Sequence, residues 1–307
     1  MSLPPPGDNQ AYCTVSVLDA GFVDVPMAQI IDTAPSEEIF RFPCLVFLLK
    51  HSSRPDTFVF DLGVRKDWET ALAPSLVAMI KKWYGVDVPQ DVVDSLKKGG
   101  LEPADVTHVC ISHVHFDHLD HQGDPRVFTN ATVIAGDGSR ALLMPGYPAN
   151  PNAHFHSDLF PEGRTRFVSP DNPDMVCIGP FAKALDYYGD GSLYIVDAPG
   201  HLPGHLSLLA RTSADGGWVF MAGDAAHDWR LLTGEASMAD GPHFGCAHRD
   251  KETAAKMVAQ IRALAEQPRV RVMLSHDVPW YEKNQGGGAF WPGRKREKFS
   301  VYSGPGA

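Results

Sequence analysis

Three histidines and an aspartate crowd into Ser112-His113-Val114-His115-Phe116-Asp117-His118, directly after the apolar run Thr107–Ser112. Imidazole nitrogens suit zinc and related divalent metals, and a carboxylate adds charge neutralisation. In extended backbone alternate side chains point the same way, so His113 and His115 can reach one ion. Asp117 and His118 follow where the chain turns and can face a second ion. Further candidates close other apolar runs. His201 and His205 sit in Ala198-Pro199-Gly200-His201-Leu202-Pro203-Gly204-His205, just after Ser192–Asp197. Asp224 closes Trp218–Gly223, and His276 closes Val270–Ser275. Strand ends are where a rigid scaffold presents reactive groups, and packing alone does not place a polar residue there so often.

The elements that must position these residues read as short buried strands. Thr14–Leu18, Leu45–Lys50, Thr57–Asp61, Thr107–Ser112, Ala131–Ala135, Ser192–Asp197, Leu206–Ala210, Trp218–Gly223 and Val270–Ser275 are β-type runs. Many are continuously apolar, as strands covered on both faces must be. Apolar spacings of three and four predict helices over Trp68–Tyr84 and Arg249–Glu266, and Gln90–Lys98 is closed by Gly99 and Gly100. Strands in succession, then a helix, twice over, predict two packed sheets with helices outside: an α/β fold of αββα type. One domain over residues 1–307 is expected. Gly136–Pro180 lacks periodicity and carries Met144, Tyr147, Phe155 and Phe160. It is expected to form a substrate lid or wall, with Phe155 and Phe160 as pocket residues. His154 and His156 are expected to face solvent there. The basic run Arg294–Lys298 reads as a solvated end.

Composition bounds the partners. Of 307 residues 44% are hydrophobic, enough for a sizeable core. Lysine and arginine number 27 against 37 aspartates and glutamates, a net charge of −10 that argues against nucleic acid. Histidine, at 14 residues, is the unusual component. Cys13, Cys44, Cys110, Cys177 and Cys246 form no Cys-x-x-Cys pair, and Cys44 and Cys110 read as small buried hydrophobes. Met1–Gln10 has no apolar signal core, and no stretch approaches the ~18 apolar residues of a membrane span. A cytoplasmic protein with reduced thiols and no membrane partner is expected.

His113-x-His115-x-Asp117-His118 resembles the HxHxDH signature of the metallo-β-lactamase fold superfamily, and His205, Asp224 and His276 follow in that family's order. The resemblance implies two divalent ions, zinc by default. His113, His115 and His205 would bind the first, Asp117, His118 and His276 the second, and Asp224 both. His201 would then be a supporting residue, and Asp61 would orient the metal loop by hydrogen bonding.

Within the superfamily, His115-Phe116-Asp117-His118 and Pro199–Ser207 look most similar to the N-acyl homoserine lactonase-like enzymes. That implies opening of a lactone ring, in N-acyl homoserine lactones or related lactones, by a metal-bridging hydroxide, and with it quorum quenching. Asp117 would move a proton to the leaving group, and Phe116 would contact the acyl part. Those lactonases carry a tyrosine three residues after the bridging aspartate, where this chain has His227. Its imidazole would donate to the oxyanion instead, which makes Asp117, Asp224 and His227 the catalytic candidates. The alternative is a thioesterase or another acyl-ester hydrolase of the same fold. A homodimer stays open.

Overall fold

The computed structural model describes residues 2–119, 127–241 and 245–293. The basic run Arg294–Lys298 lies outside them. Two antiparallel strands, β1 (Cys13–Pro26) and β2 (Ile39–His51), open the chain and pair over most of their length. Then come β3 (Thr57–Phe60), α1 (Trp68–Ala71), α2 (Pro74–Trp83), β4 (Gly85–Asp87), α3 (Val92–Lys98), β5 (His108–Cys110), β6 (Thr132–Gly136) and β7 (Thr165–Val168). The second half holds β8 (Met175–Ile178), β9 (Phe181–Asp186), β10 (Leu193–Asp197), β11 (Leu206–Arg211), β12 (Trp218–Met221), α4 (Trp229–Thr233), α5 (Lys251–Ala265), β13 (Val270–Met273) and α6 (Val278–Asn284). Among the described residues one sheet runs β4-β1-β2-β3-β5-β6-β7 and the other β13-β12-β11-β10-β9-β8. No described helix is long and apolar enough to cross a membrane.

The continuous apolar runs have the meaning expected of them. Along β2, Leu45, Phe47 and Leu49 point into the layer between the sheets, where they meet Ile195, Leu208 and Met221. The alternate residues Val46 and Leu48 point outward beneath Val92 and Leu96 of α3. On the far side, Tyr194, Leu209 and Phe220 of the second sheet pack under Met257, Ile261 and Leu264 of α5. Helix, sheet, sheet and helix therefore stack in that order, as an αββα sandwich.

Two expectations are corrected. The helix over Trp68–Tyr84 is broken into α1 and α2, because Pro74 lacks an N–H and forces Ala73 out of helical geometry. Pro74 instead starts α2 at its first turn. Gly136–Pro180 is not a lid throughout: β7 and β8 fall inside it, pairing with β6 and β9. Their half-exposed edge positions alternate weakly, so no strand period is visible in the sequence. Within the remainder His154 is exposed, but His156 is half-buried with its ring 4.9 Å from that of Tyr147.

Strand direction gathers the chemistry. Strands β3, β5 and β6 are parallel, so their C-terminal ends share one edge. In the other sheet β12 and β13 are parallel, and β10 runs with them because β11 opposes both β10 and β12. The two edges meet at backbone contact. A Cβ on Gly136 would lie 2.0 Å from the Gly204 carbonyl oxygen, so the end of β6 and the loop after β10 have no room for a side chain. Gly136→Ala should cost about 1–3 kcal/mol of stability, as overpacking does. Gly7→Ala, whose Cβ meets only the Gln10 side chain at 3.8 Å, should change little. Denaturant unfolding of the two variants checks this.

Candidate metal centre

The loop after β5 is built around Asp61, which follows β3 in the left-handed region with φ 63°. Its Oδ1 accepts from the Ser112 N–H at 2.6 Å, and its Oδ2 accepts from His118 Nδ1 at 2.8 Å. An ionised carboxylate can only accept, so a His118 proton sits on Nδ1 and Nε2 is turned toward Asp224. His276 is fixed the same way: its Nδ1–H donates to the Pro43 carbonyl at 2.9 Å, which turns Nε2 toward Asp224. The orienting role expected of Asp61 agrees with these contacts.

Asp224, 3% exposed, lies between two groups of histidines. Its Oδ1 is 3.2 Å from His118 Nε2 and 3.4 Å from His276 Nε2. Its Oδ2 is 3.6 Å from His113 Nε2 and 3.5 Å from His201 Nε2. Around Oδ2 the nitrogens themselves converge: His113 Nε2 and His115 Nδ1 are 2.9 Å apart, and His201 Nε2 is 3.2 Å and 3.0 Å from them. Zinc–nitrogen bonds of about 2.0–2.1 Å in a tetrahedron place their nitrogens about 3.3 Å apart. Three imidazoles closing to that separation, next to a buried carboxylate, fit a cation at their centre. On the other side Asp117 Oδ2 lies 3.5 Å from His276 Nε2. The donor set thus fits two metal ions that share Asp224.

Charge follows the same division. Burial pushes His115 down to about 4 and holds His113 and His201 well below the usual imidazole range, so all three stay neutral. Neutral rings are what metal ligation needs. Burial works against the charged form of Asp224, but His118, His227 and His276 together hold it well below the ordinary carboxylate range.

No protein-family model matches the chain. Curated relatives do. The sequence is 36% identical over 280 residues to "Metallo-hydrolase mfmC" of Annulohypoxylon moriforme, covering 78% of this chain and 71% of that protein. It is 35% identical over 237 residues to "Gamma-lactamase FDB1" of Fusarium pseudograminearum, covering 73% of this chain and 56% of that one. A solved N-acyl homoserine lactone hydrolase, with the product N-hexanoyl-L-homoserine at its catalytic metal center, superposes with a TM-score of 0.65. The identity there is 18%, over 92% of this chain and 97% of that one. This chain belongs to the metallo-β-lactamase fold superfamily. It spans 56% of the FDB1 protein and as little as 22% of other curated relatives.

In this metallo-β-lactamase-fold chain one expected ligand is corrected. His201, not His205, joins His113, His115 and Asp224. His205 Nε2 is occupied instead, accepting the Asp224 backbone N–H at 3.0 Å. The two histidines lie four residues apart on one loop, and the resemblance alone pointed to the second of them. Gly223, at φ 58°, makes the contact possible: a Cβ there would lie 2.8 Å from His205 Nε2.

Phe116 is 8% exposed and its ring lies 6.2 Å from that of Tyr84. Phe155 and Phe160 pack against the cluster containing Leu159 and Leu202, away from the one that holds Phe116. Three residues were missed by sequence reasoning. His248, 3% exposed, forms a triad with His201 and His227. Its signal was only a histidine two residues before the α5 cap Asp250. Tyr84 is half-buried beside Phe116, and burial pushes its hydroxyl up, with the Asp117 charge adding to the effect. Cys44 groups with Asp117 and His276. On this geometry His201→Asn should lose about one equivalent of bound metal, while His205→Asn, which keeps an acceptor for the Asp224 N–H, should retain both. Metal analysis of the purified variants decides between them.

Proposed function

We propose that the chain is a metal-dependent hydrolase that opens a lactone ring, in N-acyl homoserine lactones or related lactones. The observation that carries this reading is the shared Asp224 carboxylate, with one oxygen toward His113 and His201 and the other toward His118 and His276. In this reading His113, His115, His201 and Asp224 hold one divalent ion, and Asp117, His118, His276 and Asp224 hold the other. Zinc is favoured by the nitrogen-rich set. Two such ions supply Lewis acidity toward a carbonyl and water activation near neutral pH. The chain's similarity to "Metallo-hydrolase mfmC" supports the class, and the N-acyl homoserine lactone hydrolase fold supports the substrate. The whole of 1–307 acts as one domain in this proposal, in the cytoplasm, with the loops of 137–164 beside the site.

The residues divide the remaining work. Asp117, with 13% of its side chain exposed, is the carboxylate of the cluster nearest solvent and returns a proton to the leaving oxygen. Asp224 holds the two histidine groups at fixed separation. His227 Nε2 lies 3.1 Å from Asp224 Oδ2, so in the neutral ring its proton goes to that carboxylate. Its Nδ1, without a hydrogen-bond partner among the described residues, is then an acceptor. This revises the expected oxyanion-donor role: His227 suits a substrate N–H, such as the amide of an acyl homoserine lactone. The same acceptor suits the ring N–H of a lactam, and the similarity to "Gamma-lactamase FDB1" favours cyclic amides as a second reading.

Chelation should abolish hydrolysis across a lactone panel. Asp224→Ala and His118→Ala should each lose metal and at least about 100-fold in turnover, at or beyond the loss typical of a residue that only supports a metal ligand. Full turnover in both variants would overturn the shared-carboxylate reading. His227→Phe should raise KM about 10-fold for an amide-bearing lactone, the worth of one hydrogen bond, and leave a simple γ-lactone unaffected. Steady-state kinetics on the matched pair of substrates measures the difference.

A further inference from the structure

We infer that Cys44 supplies a thiolate donor to the cation held by Asp117, His118 and His276, an inference that rests on the two-cation reading above. One donor atom from each of Cys44, Asp117 and His276 lies within 4.8 Å of the other two. Cys44 is 2% exposed and makes no disulfide. Its neighbours on β2 tie it to the same segment that carries His276. Pro43 accepts from His276 Nδ1 at 2.9 Å, and the Leu45 N–H donates to the Ser275 carbonyl at 2.9 Å. The Phe42 ring stacks on His276 with centroids 5.4 Å apart. The backbone on both sides of the cysteine is therefore pinned against the Ser275–His276 segment. The other buried thiols sit elsewhere: Cys13 and Cys110 belong to the layer between the sheets.

The chemistry is a simple exchange. A cation entering the site forms a bond to Sγ as the S–H bond breaks, and the proton passes to water. The thiolate neutralises charge that the Asp117 and Asp224 carboxylates leave on two dications. A soft sulfur donor also selects zinc, cobalt or cadmium over magnesium or manganese at that position. The two positions then differ in character, with nitrogen dominating the first and sulfur entering the second.

Metal-free protein loaded with cobalt(II) tests this by near-ultraviolet absorption alongside bound-metal analysis. A thiolate-to-cobalt charge-transfer band is expected in the unaltered chain and in a Cys177→Ser/Cys246→Ser double variant, and its loss is expected in Cys44→Ser. Bound cobalt with no such band, or a band that survives Cys44→Ser, overturns the assignment. The number of equivalents bound tests the two-cation reading separately, since a single cobalt with the band would sink that reading and keep the thiolate. Cadmium-113 NMR of the unaltered chain needs no variant. One resonance in the sulfur-ligated range supports the donor, and resonances only in the nitrogen and oxygen range refute it.

Discussion

A carboxylate buried at Asp224 governs the architecture around it. Such a charge is tolerated in a protein interior only when opposite charge or donors surround it on all sides. Here five histidines gather, His118 and His276 near one oxygen and His113, His201 and His227 near the other, and His118, His227 and His276 hold the charge. No single strand could deliver them all. They arrive from beyond the ends of β5, β10, β12 and β13, with Asp224 itself following β12, so the running of those strands is a precondition for the site. The sandwich core holds the two sheet edges together where these residues converge.

Around that carboxylate, hydrogen bonds to each histidine's second nitrogen do the orienting. Asp61 fixes His118, and the Pro43 carbonyl fixes His276, each aiming Nε2 at the shared carboxylate. His205 works through the backbone instead, holding Asp224 by its N–H. The Gly200–His201 loop is bound in turn to the start of α5, where the Asp250 N–H donates to Gly200 and the Arg249 N–H to His201. Gly200, at φ 127°, allows this contact, since a Cβ would meet the Ala254 N at 2.4 Å. The helix thus carries His248 to the same wall as His201 and His227.

Much of the fold was legible because burial on both faces leaves a mark in the chain. Runs such as Leu45–Lys50 and Trp218–Gly223 admit no polar alternation, and α5 displays its apolar stripe through Met257, Val258, Ile261 and Leu264. Edge strands leave a weaker mark. Met175–Ile178 buries only Ile178 and exposes Val176 and Cys177, so its pattern is neither strand-like nor helical. The break at Ala73–Pro74 was legible in principle, because proline's missing N–H is local physics, and the spacing of apolar residues across it hid the interruption.

The sequence by itself determined the sandwich and the dense His113–His118 loop, since strand-end placement and donor type are properties of short segments. Only the tertiary structure decided between His201 and His205, which share a loop and a residue type. That choice depends on which imidazole the Asp224 backbone claims, a contact between residues far apart in the chain. The same holds for His248 and Cys44. Nothing within a few residues of either marks a metal site, and each joins the cluster only because α5 and β2 pack against the ends of other strands.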